Sequence, residues 1–153
     1  MKNISDYDFS RISAFVDGEL ETNEVYSLIA DMQTKPELKD KLWENVNMLQ
    51  SGLKQRGFDI GSTQSCVTPV YLEGSVPEAM ALVRDLRENY QIFCSIVVYP
   101  VIPKGLILLR LIPTSSHNEN DINETLDAFA SIREKLKKGV YKIASKGVEK
   151  EVN

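Results

Sequence analysis

Two apolar runs constrain most strongly what this chain can fold into. Ile92 to Tyr99 and Leu106 to Ile112 are aliphatic or β-branched almost throughout, and only Pro100 to Gly105 separates them. Runs of this length, bounded by turn-forming residues, read as adjacent strands buried on both faces, although periodicity alone also allows short buried helices. The connection between them is expected to be stiff. Pro100 and Pro103 fix φ and remove two backbone donors, while Gly105 releases the chain into the next strand.

Helices to cover such a sheet are written on either side. Leu38, Leu42, Val46, Leu49 and Leu53 recur at helical spacing, with Pro36 suited to the first turn and Gly57 to the stop. Cys66 to Leu72 is a strand candidate, in which Pro69 suggests an edge position or a bulge. Pro77 opens another helix with Ala79, Leu82, Val83 and Leu86 on its apolar face. A further helix is predicted from Glu119 to Lys137, with Ile122, Leu126, Phe129, Ile132 and Leu136 inward and Ser115, Ser116 or Asn118 as its cap. The order from Pro36 is helix, strand, helix, strand, strand, helix. That is an α+β unit, a small, mostly antiparallel sheet with helices packed on one face. The predicted division is an N-terminal helical segment over 1–35, this unit over 36–140 and a polar, frayed tail over 141–153.

In the N-terminal segment, Phe9, Ile12, Phe15 and Val16 suggest one short helix, and Val25, Leu28, Ile29 and Met32 a second. Residues 12 to 20, ISAFVDGEL, resemble the opening phrase of anti-sigma-factor N-terminal domains. That makes 8–35 a candidate interaction segment. The same phrase also reads as a helical hairpin turned by Asp17 and Gly18.

Composition excludes more than it assigns. A net charge of −4, with acids and bases interspersed, argues against a general nucleic-acid binder. No apolar stretch approaches the ~20 residues of a membrane span and no signal-peptide core follows Met1, so the expected location is the cytoplasm. Cys66 and Cys94 lie in apolar runs without CxxC spacing and read as buried small hydrophobes. With one histidine, and no HExxH, paired CxxC, GxGxxG or phosphate loop, the residues supply no metal site and no complete catalytic set.

One residue is anomalous. Arg110 interrupts an otherwise apolar strand, and a guanidinium buried without a partner is costly. Its planar fork suits a carboxylate held by two parallel hydrogen bonds. An exposed strand edge, or an internal Asp or Glu, accounts for it equally in kind. The loop Pro100 to Gly105, with Pro100, Pro103, Lys104 and Gly105, is either a stiff β-connection or the rigid wall of a ligand site next to Arg110. Lys104 either adds positive potential there or is an ordinary exposed lysine. His117, before the last helix, is either part of the turn or the edge of a site.

Four stretches together resemble the C-terminal part of the pyridoxal-phosphate-dependent α-oxoamine synthases. They are Pro36 to Asn45, Gly57 to Gly61 followed by Thr68 to Val70, Tyr99 to Gly105 leading into Leu109 to Leu111, and Ser116-His117 with Asp121-Ile122. The wording is nearest to serine palmitoyltransferase-like members, and the likeness spans residues 36 to 140. It implies the small C-terminal domain of fold-type I enzymes that condense an amino acid with an acyl-CoA. By the resemblance, Arg110 binds the amino-acid carboxylate and the loop matching Pro100 to Gly105 closes the active-site mouth. The family's Schiff-base lysine, pyridine-facing aspartate and ring-stacking histidine have no counterpart here, and Leu108 stands where some members carry a basic residue. The resemblance therefore implies a detached or truncated domain that neither holds pyridoxal phosphate stably nor turns over alone. It would need a partner chain carrying the lysine domain. The alternatives are a non-catalytic module for a small carboxylate or protein partner, and an anti-sigma-like interaction protein.

Overall fold

The computed structural model describes residues 21–142. The helix expected around Phe9 to Val16, the anti-sigma-like phrase and the tail from residue 143 lie outside the described residues. Within them the chain forms α1 (Thr22–Thr34), α2 (Pro36–Gln55), β1 (Thr68–Glu73), α3 (Val76–Tyr90), β2 (Ser95–Val97), β3 (Leu106–Leu111) and α4 (Glu119–Lys137).

Local chemistry sets these boundaries. Pro36 occupies the first turn of α2, where its missing N–H is no loss. The helix ends at Gln55, and beyond its cap Gly57, with a φ of 74°, reverses the chain and lets Phe58 N–H donate to Leu53 C=O. At the start of α3, Ser75 accepts from Glu78 N–H while the Glu78 carboxylate takes Ser75 N–H. Asn118 and Asp121 make the same reciprocal cap on α4, so Asn118 is the cap among the three candidates.

The sheet has strand order β1-β3-β2, antiparallel throughout. β1 is an edge strand, which is why Pro69 is tolerated there. Thr68, Val70 and Leu72 pair with Leu111, Leu109 and Ile107, and Ile96 faces Leu109 from the other side. These residues meet the helices. Leu49 and Leu53 of α2, Leu82 and Leu86 of α3, and Ile122, Leu126, Phe129 and Ile132 of α4 complete the core. Phe58 meets Phe129 edge-on with ring centroids 5.4 Å apart. A Cβ on Gly52 would overlap Leu126, so the glycine permits the close approach of α2 and α4.

Three expectations need correction. The apolar runs are not covered on both faces. β2 is only Ser95–Val97, and on the far side of the sheet Pro69, Tyr71, Glu73, Ser95, Val97, Leu106, Leu108 and Arg110 share a face that none of the described helices covers. A continuous apolar pattern records two surfaces that avoid water, but only one is met by the described helices. The second correction concerns Tyr141, which the sequence reading assigned to the polar tail. It is 4% exposed and packs in the core. The third is Cys66, which is half-buried, whereas Cys94 is buried and burial pushes its thiol up to about 11.

Candidate functional site

Alternation along β3 turns Ile107, Leu109 and Leu111 into the core and Leu106, Leu108 and Arg110 to the open face. Arg110 is therefore exposed, contrary to the expectation of a buried guanidinium. It is also not at an edge, because β3 is the central strand. Its cross-strand partners are Pro69 on one side and Ser95 on the other. The Nε–H donates to Ser95 Oγ at 3.0 Å. No carboxylate among the described residues pairs with it, so the terminal nitrogens, Nη1 and Nη2, keep their donors. Around it the face is apolar, with Tyr71 40% and Leu106 37% exposed. A fork of unspent donors on a largely apolar surface suits an oxyanion attached to an apolar body.

The proline loop is not next to Arg110. Gly105 and Arg110 stand at opposite ends of β3, about 17 Å apart along an extended strand. Leu106 and Leu108 lie between them on the same face, so the loop and the arginine mark the two ends of one apolar strip. Pro100, Pro103, Lys104 and Gly105 are all exposed, and the Tyr99–Pro100 peptide is cis. Gly105 C=O accepts from Gly74 N–H at 2.9 Å, which ties the loop to the turn before α3.

His117 belongs to the turn that starts α4. Its Nδ1 accepts from Thr114 N–H at 2.9 Å, and the buried Asn45 side chain donates to both Thr114 C=O and His117 C=O, at 2.9 and 2.8 Å. The residue also lines a cavity of about 480 Å³ with Leu49, Ile92, Phe93, Ile112 and Glu124; Arg110 is not part of that lining.

A second polar centre was missed from sequence. Asp85 on α3 accepts from Lys135 Nζ at 2.7 Å, Tyr141 Oη at 2.6 Å and Asn89 at 2.7 Å. Burial pushes the Asp85 carboxyl up, and the three hydrogen bonds outweigh it and hold the group below the usual carboxylate range. Lys135 moves up because Asp85 holds its ammonium, and Tyr141 moves up through burial and the same carboxylate. Asp85 reads from sequence as one more acid on a helix surface.

Pyridoxal phosphate needs a lysine whose amine is readily deprotonated, usually by desolvation or a neighbouring cation. Lys135 carries the opposite shift, and Lys41 and Lys137 are paired with Glu44 and Glu134. These three lysines do not fit the lysine end of that cofactor. Among the described residues there is also no grouping of His, Cys, Asp or Glu that would hold a metal ion, and no helix long and apolar enough to cross a membrane.

No protein-family model matches the chain. A cysteate-C-fatty acyltransferase of Capnocytophaga ochracea is 65% identical over 121 residues, which is 79% of this chain and 29% of that protein. An 8-amino-7-oxononanoate synthase of Symbiobacterium thermophilum is 35% identical over 105 residues, 69% of this chain and 26% of that protein. Among solved structures, serine palmitoyltransferase of Sphingomonas wittichii superposes with a TM-score of 0.64 at 25% identity, over 71% of this chain and 27% of that one. The antiparallel sheet with helices on one face is the C-terminal domain of a fold-type I pyridoxal-phosphate enzyme. Within that class the chain belongs to the α-oxoamine synthase family, of which it carries the C-terminal small domain. It spans just over a quarter of the length of the curated relatives it matches.

Proposed function

We propose that residues 21–142 form the substrate-facing small-domain half of a pyridoxal-phosphate-dependent acyltransferase. The enzyme condenses an anionic amino acid, cysteate or a close analogue, with a fatty acyl group carried on coenzyme A. The single observation that carries this reading is Arg110, whose terminal donors are unspent on an open, apolar sheet face in a chain 65% identical to a cysteate-C-fatty acyltransferase. Arg110 holds the oxyanion of the amino acid, and the apolar strip from Leu108 to the proline loop faces the rest of the active site. Pyridoxal phosphate supplies the electron sink for the condensation when bound, and a complementing large domain provides its lysine. Without that domain these residues bind no cofactor stably and do not turn over. Use of acyl-CoA sets the reaction in the cytoplasm.

The test is complementation. The Capnocytophaga ochracea enzyme is produced without the region matching this chain and mixed with the full 153-residue chain. Coenzyme A release from palmitoyl-CoA with L-cysteate is then followed. Recovery of activity that Arg110→Ala removes is expected. Absence of recovery, or equal recovery with Arg110→Ala, overturns the assignment.

A further inference from the structure

We infer that Ser95 is a positioning residue, which aims the Arg110 guanidinium so that its end edge forms a clasp for a substrate oxyanion. The inference rests on the reading of Arg110 given above and adds to it a second residue and a defined binding edge. Ser95 interrupts the apolar run Ile92 to Val98 with a hydroxyl, and the β2–β3 register sets it directly opposite Arg110. Its Oγ accepts from Arg110 Nε–H at 3.0 Å.

A guanidinium can meet a two-oxygen anion through its side edge, using Nε and one Nη, or through its end, using both Nη atoms. With Nε engaged by Ser95, the side edge is occupied and the end edge is left for the ligand. The contact also removes rotational freedom from a long side chain on an exposed face, so less ordering remains to be done when the anion arrives. No acceptor among the described residues takes the Ser95 O–H. The two Nη donors of the end edge suit a carboxylate, and suit equally two oxygens of a sulfonate. An alanine at position 95 would leave the fork free to turn toward Pro69 or solvent.

The experiment uses the full chain and its Ser95→Ala, Ser95→Thr and Arg110→Ala variants. Backbone amide resonances, which report binding in every variant, and the Arg110 Nε–H resonance where arginine is present are followed by ¹⁵N NMR while propionate, ethanesulfonate and L-cysteate are titrated in separately. In the wild type and Ser95→Thr, a resolved, slowly exchanging Nε–H is expected, together with a response to at least one anion. Ser95→Ala should return the Nε–H to the behaviour of a solvated arginine and weaken anion affinity about five- to tenfold, the effect of losing one hydrogen bond. A response to propionate alone assigns the clasp to the carboxylate, and one to ethanesulfonate alone to the sulfonate. Unchanged affinity and Nε–H exchange in Ser95→Ala overturn the role of Ser95 while leaving Arg110 in place. Equal binding by Arg110→Ala and wild type overturns the arginine assignment itself. Silence of the wild type toward all three anions overturns both.

Discussion

Asp85 on α3 and Arg110 on β3 are two charged centres that the fold holds in place, and they differ in what remains unspent. Asp85 is enclosed by Lys135, Tyr141 and Asn89, each with a hydrogen bond of 3.0 Å or less. Among the described residues Arg110 has one hydrogen-bond partner, Ser95, and otherwise faces outward from a largely apolar sheet face. A charge whose hydrogen-bonding capacity is used within the chain clamps elements together: here the carboxylate joins α3, α4 and the segment after α4. A charge whose capacity is left over is available to something that is not the chain. Physical context, not residue type, separates the enclosed ion from the open one.

That contrast breaks most visibly at Asp85. Replacing it with alanine strands the Lys135 ammonium and the Tyr141 hydroxyl, and we expect a loss of about 2 to 3 kcal/mol, discounted for the partial exposure of the lysine. Urea denaturation should show a lower midpoint at unchanged slope. The pH dependence has a defined sign on each side. The folded-state carboxyl of Asp85 lies below its unfolded value. Its contribution is therefore present above the ordinary carboxylate range and is lost as pH falls through the folded value. Lys135 and Tyr141 are both raised. Theirs is complete below the unfolded values and is lost as pH climbs past ~10. Both limbs should flatten in Asp85→Ala.

Tyr141→Phe sharpens the same comparison with a smaller effect. The ring still fills its place in the core while one hydrogen bond disappears, so about 1 kcal/mol is expected in the same urea experiment. A change near zero would mean that the Lys135 contact alone sustains the cluster.

Arg110→Ala is expected to move stability least, within ~0.5 kcal/mol, because an exposed side chain with one hydrogen bond does little to hold the fold. Calorimetry showing a loss as large as that of Asp85→Ala would erase the distinction between the two centres and make Arg110 structural.

Much of the fold is legible along the chain. The 119–137 helix, the Pro36 and Pro77 helix starts and the edge placement of Pro69 follow from caps, proline geometry and apolar spacing, all of which act within a few residues. The site is legible only in part. Arg110 stands out because one cation breaks an apolar strand, whereas Ser95 is invisible until register places it opposite. The loop from Pro100 to Gly105 is recognisable as stiff, yet its position at the other end of β3 from the arginine depends on strand direction. Asp85 escaped notice because its partners Lys135 and Tyr141 are far away in sequence, and a helical acid has no local mark of enclosure.

From sequence alone came the element order, the helix ends, the α+β class and the singular cation of β3, since each is set by local backbone chemistry or a contiguous pattern, and the family through the resemblance of four stretches in order. Tertiary structure alone decided which sheet face stays open, that Tyr141 enters the core, and that Ser95 meets Arg110. Those outcomes depend on register and packing between residues distant in the chain, and hydrophobicity records that a surface avoids water without naming what covers it.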